Sequence, residues 1–351
     1  MNLKDRVKHF WNEFMLQKDD LMIAIDENDQ NEISRIVEYF NSLLKNITTY
    51  KMEVEKSETG FYEISFVTQG NKNAQFATTL LKKDAPKQLS EDFLIHAFHP
   101  PVSDNTKMKG FKIDDEIIDG SDLIVYYTIL EECKMLDLRI YSEKLKAFNE
   151  EQQNAIAFSF VELFIGELEL EARINSIEVI DEEDHDCENF AYLPNFFEDL
   201  CDIIYSNDWV EYHEPLSIYQ VFKLNEDLKN DTLRNDMVLI MTTNPQLQIE
   251  VLNNVETMCH NFKAIGGEYG YLYYEKTYQD EKEALLRQQL EKQIDELFFD
   301  MSIAKTMGGA LGKVYTYIDV AIYDKDLFMI SLAKLNEKLP FTIYYNDFMH
   351  I

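Results

Sequence analysis

The sequence predicts an α+β protein of two domains, each a mostly antiparallel or mixed sheet with helices packed on it. Hydrophobic periodicity switches along the chain between steps of three to four residues and steps of two, the marks of helices and strands. Hydrophobic residues make up 46% of the 351, which is ample for packed cores, and a chain of this length exceeds one ordinary core. Gly and Pro number only 11 and 7, too few for long flexible linkers.

The chain opens with an amphipathic helix, because Leu3, Val7, Phe10, Trp11, Phe14 and Met15 share one face. After the polar turn Asp26–Asp29, Ile33, Ile36, Val37, Phe40, Leu44 and Ile47 stripe a second helix, and the short link predicts an antiparallel helical hairpin. Tyr50, Met52 and Val54 then alternate with charged residues, and Tyr62, Ile64 and Phe66 repeat the alternation beyond Gly60, a β-hairpin signal. Leu94–His99 reads as a strand, and the nearly continuous apolar run Leu123–Leu130 as a strand buried on both faces. Leu136, Leu138 and Ile140 alternate again. Asn149 as N-cap and Gln152 at the capping-box position start a helix over about 150–165, and Ile174–Ile180 reads as a strand.

Six of the eight residues Asp181–Glu188 are acidic, a run that repels itself and stays solvated. The expected organisation is therefore a first domain over 1–185, a connecting segment over 186–235 with a helix near Phe196–Tyr205, and a second domain over 236–351. In the second domain Met237–Met241 is a buried strand, and Asn244 followed by Pro245 starts a helix striped by Leu247, Val251, Val255, Met258 and Phe262. Strands are expected over 269–278, 313–323 and 341–348. Helices are expected over 281–301, on Leu286, Leu290, Ile294, Leu297 and Met301, and from a cap at Asp324 to about Glu337. This order predicts a ferredoxin-like split β-α-β with an extra helix, its sheet mixed and its helices on one side.

Charge narrows the partners. Asp and Glu number 65 against 33 Lys and Arg, a net charge of −32, and such a surface repels nucleic-acid phosphates and anionic lipid heads. Lys82-Lys83 and isolated lysines near Lys107 are the largest basic features, so no direct nucleic-acid or membrane partner is expected. The opening Met1–Arg6 lacks a signal-peptide core, no stretch approaches ~18 apolar residues, and Cys133, Cys187, Cys201 and Cys259 are irregularly spaced. These features point to a cytoplasmic protein with reduced thiols.

No catalytic motif or cofactor loop stands out, and no cofactor is expected. The echo between Gly266-Gly267-Glu268-Tyr269-Gly270 and Gly308-Gly309-Ala310-Leu311-Gly312 precedes strands rather than helices, which fits turns or bulges better than a phosphate cradle. His185, Cys187, Cys201 and His213 match no zinc spacing, and the segment from Asp114 to Gly120 lacks ligands where a calcium loop needs them. His96 and His99 are expected to act independently. The feature that invites binding is the tyrosine-rich strands: on the 313–323 strand Tyr315, Tyr317, Asp319 and Tyr323 share one face, opposite Val314, Ile318, Val320 and Ile322, and Tyr271 and Tyr273 lie on the 269–278 strand, their apolar rings and polar tips suited to an interface.

Phe10-Trp11 with Phe14, Gly60-Phe61-Tyr62-Glu63-Ile64-Ser65, Gly70-Asn71, Leu80–Pro86 and Ala97-Phe98-His99-Pro100 resemble a bacterial domain family of unknown function over about residues 1–185. The second half resembles unassigned bacterial α+β sequences. The resemblance implies a bacterial origin and carries no functional residue. The reading from sequence is a non-enzymatic, acidic protein-binding protein, an inhibitor or immunity-type protein for a basic partner. The alternative is an enzyme or small-ligand sensor with a pocket at or between the domains. The sequence fixes no oligomeric state.

Overall fold

A computed structural model describes residues 1–57, 59–102, 111–113, 116–225, 230–279 and 281–349. Its architecture is α+β. The contacts divide the chain into two compact units, one made of Met1–Ala97 with Leu216–Ile351, the other of Phe98–Pro215. The segments expected from the sequence run consecutively along the chain. These units do not, because the N-terminal helices pack on the C-terminal sheet, a partnership no local pattern announces.

In the split unit, α1 (Leu3–Asp26) and α2 (Gln30–Leu44) form the expected hairpin, with Asn2 and Asp29 as side-chain N-caps. Next come β1 (Met52–Lys56), β2 (Tyr62–Phe66), α3 (Lys72–Lys83) and β3 (Phe93–His96). β1 pairs antiparallel with β2, and β3 pairs parallel to it. Phe10 and Phe14 of α1 meet Phe40, Phe66 and Phe93 at ring-centre distances of 5.0–6.2 Å. Trp11 Nε1 donates to the Leu81 carbonyl at 2.9 Å, tying α1 to α3.

The other unit contains β4 (Phe111–Ile113), β5 (Glu116–Ile118), β6 (Ile124–Leu130), β7 (Met135–Tyr141), α4 (Glu150–Arg173), β8 (Ile174–Ile180), β9 (Phe190–Tyr192) and α5 (Leu193–Ser206). Four of its strands lie in the order β8-β7-β6-β9, with α4 and α5 supplying Phe160, Phe164, Phe196 and Leu200 to the core. Two expectations change here. Tyr127 to Leu130 of β6 are half-buried or exposed, so the strand is not buried on both faces. The helix predicted to about 165 continues to Arg173 through a break at Gly166 (φ 78°, ψ 159°). There the Val102 N–H donates to the Leu163 carbonyl and the Glu167 N–H to the His99 carbonyl. A Cβ on Gly166 would stand 2.7 Å from the Pro101 nitrogen, so only glycine admits this passing segment.

The chain returns to the split unit with β10 (Gln220–Lys223), β11 (Met237–Thr242), α6 (Pro245–Leu252), α7 (Thr257–Ala264), β12 (Glu268–Glu275), α8 (Glu281–Asp300), β13 (Ala304–Gly312), β14 (Tyr315–Ile322), α9 (Lys325–Asn336) and β15 (Tyr344–Asp347). Six strands lie in the order β10-β11-β13-β14-β12-β15, antiparallel at every pairing, where a mixed sheet was expected. Helices cover both of its faces rather than one. Leu290, Ile294 and Phe298 of α8 and Phe328 of α9 pack against Leu272, Ile318 and Val320. On the opposite face Phe76 of α3 and Phe262 of α7 meet Tyr269 at 5.9 and 4.3 Å.

The helix expected from Asn244 through Phe262 is two helices, α6 and α7, separated at Asn254, whose φ is +54°. β13 was not foreseen. Its Gly308-Gly309 pair makes a bulge, with a register shift between Thr306 and Gly309. Gly308 has φ +103°, and a Cβ there would stand 2.0 Å from the Met241 carbonyl oxygen. Of the turn or bulge expected here, the Gly308-Gly309 pair is the bulge, placed inside a strand rather than before one. The Asp114–Asp115 pair and Lys107 lie outside the described residues.

Candidate functional site

Alternation along β12 and β14 places Tyr271, Tyr273, Tyr315, Tyr317 and Asp319 on one sheet face. The register sets Tyr271 opposite Asp319, Tyr273 opposite Tyr317 and Glu275 opposite Tyr315. β15 adds Tyr344 opposite Tyr273 and Asn346 opposite Tyr271. All five residues singled out from the sequence are therefore together, but they form two regions of different character.

The inner region is buried and already engaged. Tyr271, Tyr317 and Asp319 are buried, and so are Arg234, Asp236 and Gln248, which reach them from the loop before β11 and from α6. Arg234 Nη1 donates to Asp319 Oδ1 at 2.7 Å and Nη2 to Gln248 Oε1 at 3.0 Å. Gln248 Nε2 donates to Asp319 Oδ2 at 2.7 Å, so both carboxylate oxygens are satisfied. The guanidinium carbon lies 4.9, 5.3 and 4.8 Å from the ring centres of Tyr271, Tyr317 and Phe348. The Tyr317 hydroxyl accepts from the Arg234 backbone N–H and donates to Asp236 Oδ1. Burial, with the Asp236 carboxylate beside it, pushes this phenol well above its ordinary range, which keeps it a neutral donor. Asp236 Oδ2 accepts the backbone N–H groups of Val314 and Tyr315, which pins the turn between β13 and β14.

The outer region faces solvent. Tyr273 and Tyr315 are half-buried, Glu275 is exposed, and Tyr344 is 52% exposed. Tyr273 meets Tyr315 edge-on at 5.8 Å and stacks on Tyr344 at 5.4 Å. Sequence reasoning named Tyr273 and Tyr315 but missed Tyr344 and Glu275, whose membership follows only from strand register. It also missed Arg234, Asp236 and Gln248, which belong to segments without a period that would place them.

Two other polar groups sit in helices. Along α8, Glu283, Arg287 and Glu291 are buried at four-residue spacing. Glu283 accepts from Thr316 Oγ1 at 2.7 Å, and Arg287 Nη1 donates to Glu291 at 2.8 Å. Tyr219 also donates to Glu291, at 3.1 Å. The apolar stripe expected on this helix holds at Leu290 and Ile294, but Leu297 and Met301 are exposed. Along α4, burial pushes the Glu162 carboxyl up to about 7, Glu167 adds to the rise and His99 opposes it. Arg173, at the end of α4, is buried 5.3 Å from the Trp209 ring centre and 5.1 Å from that of Tyr212, with Glu169 at 3.6 Å.

A cleft of about 250 Å³ beside β6 and α5 is lined by Tyr127, Asp199, Asp202, Ile203, Ser206 and Asn207. Among the described residues no three His, Cys, Asp or Glu side chains are grouped to hold a metal ion, and no helix is long and apolar enough to cross a membrane. His185, Cys187, Cys201 and His213 are not brought into such a group, and all four cysteines are free thiols. His96 ends β3, while His99 lies beyond the strand. Compared with protein-family models, curated proteins and solved structures, the chain matches none.

Proposed function

We propose that this chain is a non-enzymatic protein-binding protein that docks a basic partner through the outer tyrosines of the six-stranded sheet. The observation that supports this reading most is the Tyr315–Tyr273–Tyr344 row, half-buried at one end and open at the other, beside inner tyrosines held by the Arg234–Asp319 network on the same sheet face. A rigid aromatic row loses little entropy on contact and supplies the anchors that dominate protein interfaces. The net charge of −32 would steer a basic protein toward it and turn away nucleic acid and anionic membranes. An inhibitor or immunity-type role in a bacterial cytoplasm fits this chemistry and the four free thiols. The β12-to-β15 part of the sheet, with strand order β15-β12-β14-β13, is read as the expected ferredoxin-like unit carrying β11 and β10 as additions.

A second reading, as an enzyme or ligand sensor, rests on Glu162, a carboxyl held near neutrality with Glu167 and His99 acting on it. The cleft at Tyr127, Asp199 and Asp202 is not lined by these groups, so the docking reading is preferred.

Affinity capture from a bacterial lysate tests the choice, with the wild type, a Tyr344→Ser/Tyr273→Leu variant and an unrelated protein of equal charge as baits. The reading expects a basic protein that binds the wild type at low salt, leaves at ~0.5 M salt and is lost with the variant. Capture that is equal on all three baits would refute it.

A further inference from the structure

The chain shows twice how it holds a guanidinium. Arg234 lies against Tyr271, Tyr317 and Phe348 with Asp319 as its counter-ion. Arg173 lies against Trp209 and Tyr212 with Glu169 as its counter-ion. In each case ring faces receive the flat cation and a carboxylate answers its charge.

Two residues further along β12 and β14 two of the rings have counterparts, and a third ring and a carboxylate stand with them, with no cation over them among the described residues. Tyr273 takes the place of Tyr271 on β12, Tyr315 that of Tyr317 on β14, and Tyr344 of β15 is the third ring. Glu275, opposite Tyr315 in register, lies on the same face and supplies the carboxylate. The ring spacings agree. Tyr271 stands 6.0 Å from Tyr317 and 5.4 Å from Phe348, and Tyr273 stands 5.8 Å from Tyr315 and 5.4 Å from Tyr344.

We propose that Tyr273, Tyr315, Tyr344 and Glu275 form an open cation cage that takes an arginine side chain of the docked partner. This rests on the docking reading and names its recognition element. Arginine is preferred to lysine because both filled cages hold a planar guanidinium, which stacks on rings as an ammonium does not. The partner is thus a basic protein that presents an arginine on a protruding loop. Lys276, next to Glu275, and Lys313, two residues before Tyr315, are the nearest like charges along the chain, so removal of Lys313 should tighten binding.

The test titrates the full chain, with ring-labelled tyrosine, against a blocked Gly-Arg-Gly peptide and its citrulline counterpart, which keeps the shape without the charge. The arginine peptide should shift the Tyr344 ring resonance and bind about three-fold or more tightly than the citrulline peptide. Tyr344→Ser should abolish that preference, Glu275→Gln reduce it and Lys313→Ser increase it. The inner Tyr271 and Tyr317 rings, occupied by Arg234, should not respond. Equal binding of the two peptides, or a preference that survives Tyr344→Ser, overturns the cage. The two proposals fail separately. Capture that depends on Tyr344 with no arginine preference sinks the cage and leaves docking standing. An arginine preference without any captured partner does the reverse.

Discussion

The Arg234 guanidinium and the Asp319 carboxylate meet at 2.7 Å with both side chains withdrawn from solvent. Such a pair adds little net stability when complete, because desolvation offsets the attraction, but it is costly to break from one side. Arg234→Ala would leave Asp319 buried with only Gln248 as a partner, and Arg234 itself sits at φ +66°, a conformation the chain must be held in. Denaturant unfolding should show a loss of about 3–5 kcal/mol for Arg234→Ala. An Arg234→Met/Asp319→Leu double variant should recover most of that loss. A single variant as stable as the wild type would show that the network does not hold the inner tyrosines.

The break in α4 is fixed by Gly166. A methyl there would press on the Pro101 backbone at 2.7 Å while the residue holds φ +78°. Gly166→Ala should therefore destabilise by about 1–3 kcal/mol, measured as a fall in the unfolding midpoint. Ala155→Gly, at an exposed position on the same helix, should cost no more than about 1 kcal/mol.

Glu162 sets a pH dependence. Its folded-state value is raised to about 7 from an ordinary 4.5, so between these values the folded form holds the proton more tightly than the unfolded form. Stability from this group is full below pH 4.5 and declines as the pH rises toward 7. Glu162→Gln should flatten that decline. Because the group is partly solvated, the gain at pH 8 is on the order of 1 kcal/mol. Thermal melts from pH 5 to 8 test it, and parallel curves for the two proteins would contradict it.

Thiol reactivity should follow burial. Cys133 is exposed, whereas burial pushes the Cys259 thiol up to about 12. Burial raises the Cys201 thiol too, and the Glu169 carboxylate adds to the effect. Iodoacetamide at pH 8, followed by mass spectrometry, should modify Cys133 first, Cys201 more slowly, and Cys259 only on unfolding. Early labelling of Cys259 would mean that α7 opens readily.

What the sequence disclosed followed its local signals. Asn149 with Gln152, Asp324 and the Asn244-Pro245 step all cap helices where their chemistry said they should. α3 escaped although Phe76, Ala77, Leu80 and Leu81 recur at helical spacing; the fold buries its polar residues from Lys72 to Thr79 along with them. β13 escaped because its glycines read as a turn or bulge before a strand rather than as a bulge within one. The tyrosine face was legible as period-two alternation on the 313–323 strand, while its continuation through Tyr271 and Tyr273 follows from the pairing of β12 with β14. That Tyr317 and Asp319 are buried under Arg234 was not, since Arg234 lies 85 residues from Asp319 and only the folded chain joins them.

The central claim is that a basic partner docks on the outer tyrosines, and hydrogen–deuterium exchange of the captured complex tests it most directly. The account predicts slowed exchange on binding confined to the peptides that carry Tyr273–Glu275, Lys313–Tyr315 and Tyr344–Asp347. Protection that falls elsewhere while these segments exchange as in the free protein would contradict it.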